Sequence, residues 1–148
     1  MFKKLLAFTV LIVIAASCKD DVTIDYGPID RVIIQDYLTT KSLVAKSTAS
    51  GLHYIIEKDG TTIHPTIYSK VNVKYKGYLT DGTVFDQGTI DYPLQSLIRG
   101  WQEGLPFIGA SGKIKLLIPS ALGYGARSQE KIPANSVLIF DIELVTFN

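Results

Sequence analysis

The sequence predicts an α+β fold, a curved antiparallel β-sheet of about five strands wrapped around one short α-helix. Three observations predict it. From Gly51 onward apolar residues recur with period two, as they do on half-buried strands. One stretch, Leu97-Ile98-Arg99-Gly100-Trp101-Gln102-Glu103-Gly104, breaks that period, and Leu105 and Ile108 follow Trp101 at helical spacing. Asp59-Gly60 and Asp81-Gly82 punctuate the strands as turns. Strands segregated from a single helix make an α+β arrangement, and the sheet must curl for its apolar face to cover so short a helix.

The chain of 148 residues suffices for one ordinary domain, and 47% hydrophobic with 20% charged residues is a globular balance. Net charge is +1 and no basic stripe appears, so no nucleic-acid partner is expected. One cysteine excludes an internal disulfide framework, and two separate histidines, His53 and His64, offer no metal-ligand cluster. Neither a metal nor a cofactor is expected.

Residues 1–17 read as a secretory signal: Lys3 and Lys4 are basic, Leu5 to Ala16 is apolar apart from Thr9, and Ala15-Ala16-Ser17 are small. The apolar run is too short for a bilayer span of about 20 residues. Cys18 directly after small residues resembles a bacterial lipobox, with Ala15 where leucine is commoner. That resemblance implies cleavage before Cys18 and lipid attachment to it; the plainer reading is a cleaved signal and a stray thiol. Lys19-Asp20-Asp21 resembles an export signal of surface lipoproteins in Bacteroidetes-type bacteria, or is a solvated tether.

Residues 18–50 then form a tether with a short helical arm. Ile29, Ile33 and Tyr37 recur every four residues beside Ile34 and Leu38, predicting a helix over about 29–39 that packs on the domain or spaces it from the membrane. A dimerisation helix is the less favoured reading, since three turns are marginal alone. Residues 47–51 read as a loop.

The domain proper, 51–148, opens with a strand carrying Leu52, Tyr54 and Ile56 on one face. Val71, Val73 and Tyr75 mark the next, joined through Asp81-Gly82 to Thr83-Val84-Phe85. A helix is predicted over Gly100–Ile108, trimmed by Pro106. Ile114, Leu116 and Ile118 mark a further strand, and Leu138, Phe140, Ile142 and Leu144 the last.

No nucleophile elbow, phosphate loop or paired-carboxylate site is evident, so covalent and acid–base catalysis lack support. Aromatics stand out instead: Tyr75, Phe85, Trp101, Tyr124 and Phe140. By spacing alone they fit a plain core better than a pocket.

Five ordered motifs carry a resemblance. They are Val73-Lys74-Tyr75-Lys76-Gly77, Asp81-Gly82-Thr83-Val84-Phe85-Asp86, Leu97 to Gly104, Ile118-Pro119-Ser120-Ala121-Leu122-Gly123-Tyr124-Gly125 and Val137 to Leu144. Together, over Gly51–Asn148, they resemble the FKBP-type (FK506-binding) peptidyl-prolyl cis–trans isomerases. The resemblance implies an FKBP-like sheet around one helix and a proline pocket. Trp101 would be its floor and Tyr75, Phe85 and Phe140 its walls. Leu97 and Ile98 would form the rim, with the Ile98 N–H on a substrate carbonyl. The Tyr124 hydroxyl would bond the bound chain, and Asp86 would stand beside the twisting amide. Tyr75, Phe85, Asp86, Ile98, Trp101, Tyr124 and Phe140 are thus the catalytic set, and Ile90, Leu97 and Ile132 the substrate-binding set. Ile90 falls where relatives often carry an aromatic. Gln87–Thr89 is shorter than in many relatives, and Arg127–Lys131 is slightly short and lacks an occasional histidine; both bear on substrate selection.

The implied function is isomerisation of proline-containing clients during folding of exported proteins. The chain would be a monomer at the bacterial envelope, lipid-anchored to the outer membrane on its periplasmic or surface face, with FK506-type macrolides as possible ligands. A non-catalytic proline-binding or chaperone-like lipoprotein is the alternative, and a purely structural envelope lipoprotein a third reading. Retention of Asp86 and Tyr124 favours the enzyme.

Overall fold

The structure is a computed structural model and describes residues 24–148. The expected signal, Cys18 and Lys19-Asp20-Asp21 lie outside the described residues. Six strands form one antiparallel sheet: β1 (Lys46–Ser47), β2 (His53–Lys58), β3 (Lys70–Tyr78), β4 (Val84–Pro93), β5 (Gly112–Ile118) and β6 (Leu138–Phe147). Their order across the sheet is β1-β2-β5-β6-β3-β4. The α+β class holds, with one strand more than the five expected. The additional strand is β1, which pairs Lys46 with Tyr54 and Ser47 with His53. Two residues carry no period, so nothing local marks it.

Two helices flank the sheet, α1 (Gly27–Thr40) and α2 (Arg99–Gly104). Pro28 occupies the first turn of α1, where its missing N–H is harmless. α2 ends at Gly104, four residues before the expected Ile108. Pro106 has no N–H to donate back to Gln102, so the chain tightens into a 3₁₀ turn over 105–107 instead.

α2 packs against the inner face of the sheet. Gly100 and Gly104 make that approach possible: a Cβ on Gly100 would lie 2.6 Å from Ile118 Cγ2, and one on Gly104 2.6 Å from Leu116 Cδ2. Here the core contains Leu52, Val71, Val73, Trp101, Leu105, Ile114, Leu116, Ile118, Leu138, Phe140, Ile142 and Leu144.

A second core lies on the outer face, beneath α1. Ile34 and Leu38 pack there on Leu117, Val137 and Ile139, with Ile55 and Tyr78 at the margin. The buried stripe is therefore Asp30, Ile34 and Leu38, whereas Ile29 is 44% exposed. Either stripe satisfies the helical period; the apolar outer face of β5 and β6 decides which one is buried. α1 packs on the domain, one of the two arrangements the sequence left open. Burial of an Ile or Leu side chain contributes about 1.5–3 kcal/mol, so this contact is a substantial part of the fold.

Candidate functional site

Strands β3 and β4 build one wall of the site. Opposed residues of an antiparallel pair share a face, so Tyr75 with Gly88 and Val73 with Ile90 lie on the inner side. At the hairpin end the register shifts: Gly77 opposes Asp86 and Tyr78 opposes Val84, leaving Phe85 as an extra residue. This bulge re-aims one side chain, so the adjacent residues Phe85 and Asp86 both line the same cavity. Gly77 completes the device. A Cβ there would stand 2.5 Å from Phe85 Cε2 and 2.6 Å from Phe140 Cε1, so the two rings occupy the space a side chain would need.

The floor comes from α2. Trp101 is 4% exposed and meets Phe140 edge-on at 5.2 Å between ring centroids, and Tyr75 edge-on at 5.2 Å. Phe85 meets Phe140 at 5.4 Å in the same T-shaped manner. These are the favoured geometries for aromatic pairs, so the rings brace one another. The Trp101 Nε1 has no hydrogen-bond partner among the described residues.

Before α2, the Leu97 carbonyl accepts a 2.6 Å hydrogen bond from Gln102 Nε2, which also reaches the Gln95 carbonyl at 3.1 Å. This pins the segment whose next residue is Ile98. The Ile98 N–H makes no hydrogen bond among the described residues and stands at the rim.

Three polar groups face the opening. The Tyr75 hydroxyl donates to Asp86 Oδ2 at 2.7 Å. Burial first, then that hydrogen bond and the Asp86 charge, pushes the Tyr75 phenol up to about 12. The Tyr124 phenol is also raised, by burial and then by the Asp86 charge. Both stay neutral hydrogen-bond donors at ordinary pH.

The resulting cavity is about 340 Å³ and is lined by Tyr75, Phe85, Asp86, Ile90, Tyr92, Ser96, Leu97, Ile98, Trp101, Tyr124 and Phe140. It gathers nine of the ten expected pocket residues. Ile132 is the exception: it is buried in the core and borders an adjoining recess of about 240 Å³ with Phe85, Asp86, Tyr124 and Gln129–Lys131. Tyr92 and Ser96 line the cavity in addition to the expected residues. Tyr92 was open to detection, because it follows Ile90 by two on β4 and so shares its face.

A larger depression of about 780 Å³ lies around Lys74, Lys76, Lys113, Lys115, Glu57, Asp141 and Glu143. Lys115 pairs with Asp141, and Lys113 with Glu143. Its charges pair with one another across the strands, and the aromatic cavity is the better candidate. Among the described residues no three His, Cys, Asp or Glu side chains gather as metal ligands.

Comparison with known proteins gives the family. The family model for FKBP-type peptidyl-prolyl cis-trans isomerases matches residues 61–145, more than half the chain. The chain belongs to that family. FkpA of Buchnera aphidicola (subsp. Schizaphis graminum) is 50% identical over 105 residues, covering 66% of this chain and 41% of that protein. The crystal structure of Escherichia coli FkpA superposes with a TM-score of 0.73 at 34% identity, covering 82% of this chain and 61% of that one. A peptidyl-prolyl cis-trans isomerase from Pseudomonas syringae gives 0.70 at 28% identity, covering 85% of this chain and 98% of that one. The chain spans less than half the length of the curated FkpA relative it matches.

Proposed function

We propose that the chain is a peptidyl-prolyl cis–trans isomerase acting on proline-containing polypeptides. One observation carries the reading: an aromatic cavity floored by Trp101 that is open beside Asp86, Tyr124 and the unbonded Ile98 N–H. The X–Pro bond prefers trans by only about 0.5–1 kcal/mol, whereas rotation faces a barrier of about 18–20 kcal/mol set by amide resonance. Whatever favours the twisted, less conjugated amide lowers that barrier. The apolar walls disfavour the charge-separated planar form of a prolyl amide seated on Trp101. The Ile98 N–H holds one substrate carbonyl and the Tyr124 hydroxyl another, which fixes the chain on either side of the rotating bond. Asp86, held by Tyr75, presents its charge to the twisting carbonyl. A thousandfold acceleration requires about 4 kcal/mol, within the range of such terms.

The cellular setting is part of the same proposal. The proposed arrangement is a signal over 1–17, lipid attachment at Cys18, a tether to residue 50 and a catalytic domain from 51, which would hold the enzyme at the bacterial envelope. Its clients there are exported polypeptides, and FK506-type macrolides would compete for the pocket. The sequence around Cys18 supports the anchor. Among the described residues no helix is long and apolar enough to cross a membrane.

The test is a proline-peptide isomerisation assay on the purified full chain in detergent. Excess rate is expected, with Tyr124→Phe and Asp86→Ala each lowering it. Peptide binding without any excess rate would select the non-catalytic alternative. Mass spectrometry of the membrane fraction tests the anchor: a diacylglyceryl adduct on Cys18 is expected.

A further inference from the structure

We propose that Asp30 of helix α1 is a positioning residue of the isomerase site that sets Tyr124 through Ser120. The inference rests on the isomerase reading above and extends the site beyond the pocket lining.

Asp30 lies on the buried stripe of α1, four residues before Ile34 and eight before Leu38, and is 1% exposed. A helix that only had to pack would carry an apolar side chain there. A buried carboxylate is costly unless hydrogen-bonded. Both hydrogen bonds of the Asp30 side chain go to one residue: Oδ2 accepts from the Ser120 N–H at 2.8 Å and from Ser120 Oγ at 2.7 Å. Oδ1 has no partner among the described residues. A carboxyl group kept in so buried a place, with both its hydrogen bonds on Ser120, points to a task at Ser120.

Ser120 opens the turn that carries Tyr124. Its carbonyl accepts from the Gly123 N–H at 3.0 Å and from the Gly125 N–H at 2.9 Å, the two residues that bracket Tyr124. Neither glycine has a side chain to lock the turn by packing, and Gly125 sits at φ +58°. The backbone on either side of Tyr124 is thus tied to Ser120, which Asp30 holds, while on its far side the Gly125 carbonyl accepts from the Asn135 N–H at 2.8 Å. The chain of bonds runs from α1 through Ser120 to the residues on either side of the pocket tyrosine. Displacing a substrate-orienting group by about 1 Å can lower a rate by up to ~10²-fold.

The experiment compares Asp30→Ala, Tyr124→Phe, the double variant and Ile34→Ala. All are full chains in detergent, assayed at a temperature where circular dichroism shows each folded. Ile34→Ala loosens the same helix without touching the turn. Asp30→Ala is expected to lower kcat/KM about tenfold, and Ile34→Ala less than about twofold. The double variant should be no slower than Tyr124→Phe, because Asp30 acts only through Tyr124. Exchange of the Gly123 and Gly125 amides, measured against β6 amides in the same sample, should quicken in Asp30→Ala and not in Ile34→Ala. Losses that multiply in the double variant, an equal loss in Ile34→Ala, or unchanged exchange at Gly125 would overturn the inference. Should Asp30→Ala not fold, Ser120→Ala removes one of the two bonds and carries the same comparisons with smaller effects. A wild-type chain with no isomerase activity would refute the proposed function alone, and amide exchange would still decide whether Asp30 holds the turn.

Discussion

The Tyr75 hydroxyl donates a 2.7 Å hydrogen bond to Oδ2 of Asp86, linking an inner-face residue of β3 to the bulged end of β4. The two cannot be treated as separate pocket groups. The bond orients the carboxylate, and the carboxylate helps keep the phenol protonated. Replacing Asp86 by Asn should therefore lower the Tyr75 pKa from about 12 without restoring an ordinary value, because burial is the larger cause. Spectrophotometric titration of phenolate absorbance, with Tyr75→Phe as the reference, measures this. An unchanged titration would show that the bond does not form in solution.

The same phenol predicts how stability depends on pH. Its folded pKa is raised above the unfolded value, so the folded chain holds this proton more tightly. The stabilisation is fully present below about pH 10 and is lost as pH rises from about 10 to about 12. Tyr124, raised by burial and by Asp86, acts in the same direction. Denaturant midpoints should fall across that window, and fall less in Tyr75→Phe.

Trp101 is the sole tryptophan and lies almost wholly buried beneath the pocket. Its emission should respond to a proline peptide or an FK506-type macrolide, and the response should disappear in Phe140→Ala, which removes the ring braced against it. A flat titration with active protein would place substrate elsewhere.

Two glycines of the β3–β4 wall should behave oppositely. Gly77→Ala forces a Cβ against the Phe85 and Phe140 rings, and is expected to cost about 1–3 kcal/mol and to weaken binding. A Cβ on Gly88 would meet nothing within 4 Å, so Gly88→Ala should be neutral or stabilising by up to ~1 kcal/mol. Thermal melts and peptide affinity for the pair provide the comparison.

Truncation to residues 51–148 should lower the melting temperature sharply and increase dye binding to exposed apolar surface. It uncovers Leu117 and Ile139, both now fully buried beneath α1, and removes β1. Ile34→Ala in the full chain should cost about 2–5 kcal/mol by leaving a cavity in that outer core. A truncated chain as stable as the whole would show α1 to be a mere tether.

The sequence by itself determined what is local. Alternation of apolar residues marked β2, β3, β5 and β6, Asp81-Gly82 marked the β3–β4 turn, and helical spacing around Trp101 marked α2, each because neighbouring residues suffice to write the signal. Asp59-Gly60, by contrast, closes no turn, since β2 pairs with β1 and β5 rather than with the strand that follows it. The motifs identified the family, and nine of the ten pocket residues that the resemblance implied lie around one cavity. Tertiary structure decided what depends on distant partners. The tenth, Ile132, falls among core side chains, and the bulge that turns both Phe85 and Asp86 inward appears only in the pairing of β3 with β4. Leu117 reads as a solvent-side residue between Lys115 and Ile118, yet it is buried because α1 covers the sheet's outer face. Asp30 looks like a polar residue in a helix's first turn until a contact spanning 90 positions sets it on Ser120. No pattern within a dozen residues can encode such a contact, because its energy exists only once the sheet has brought both ends together.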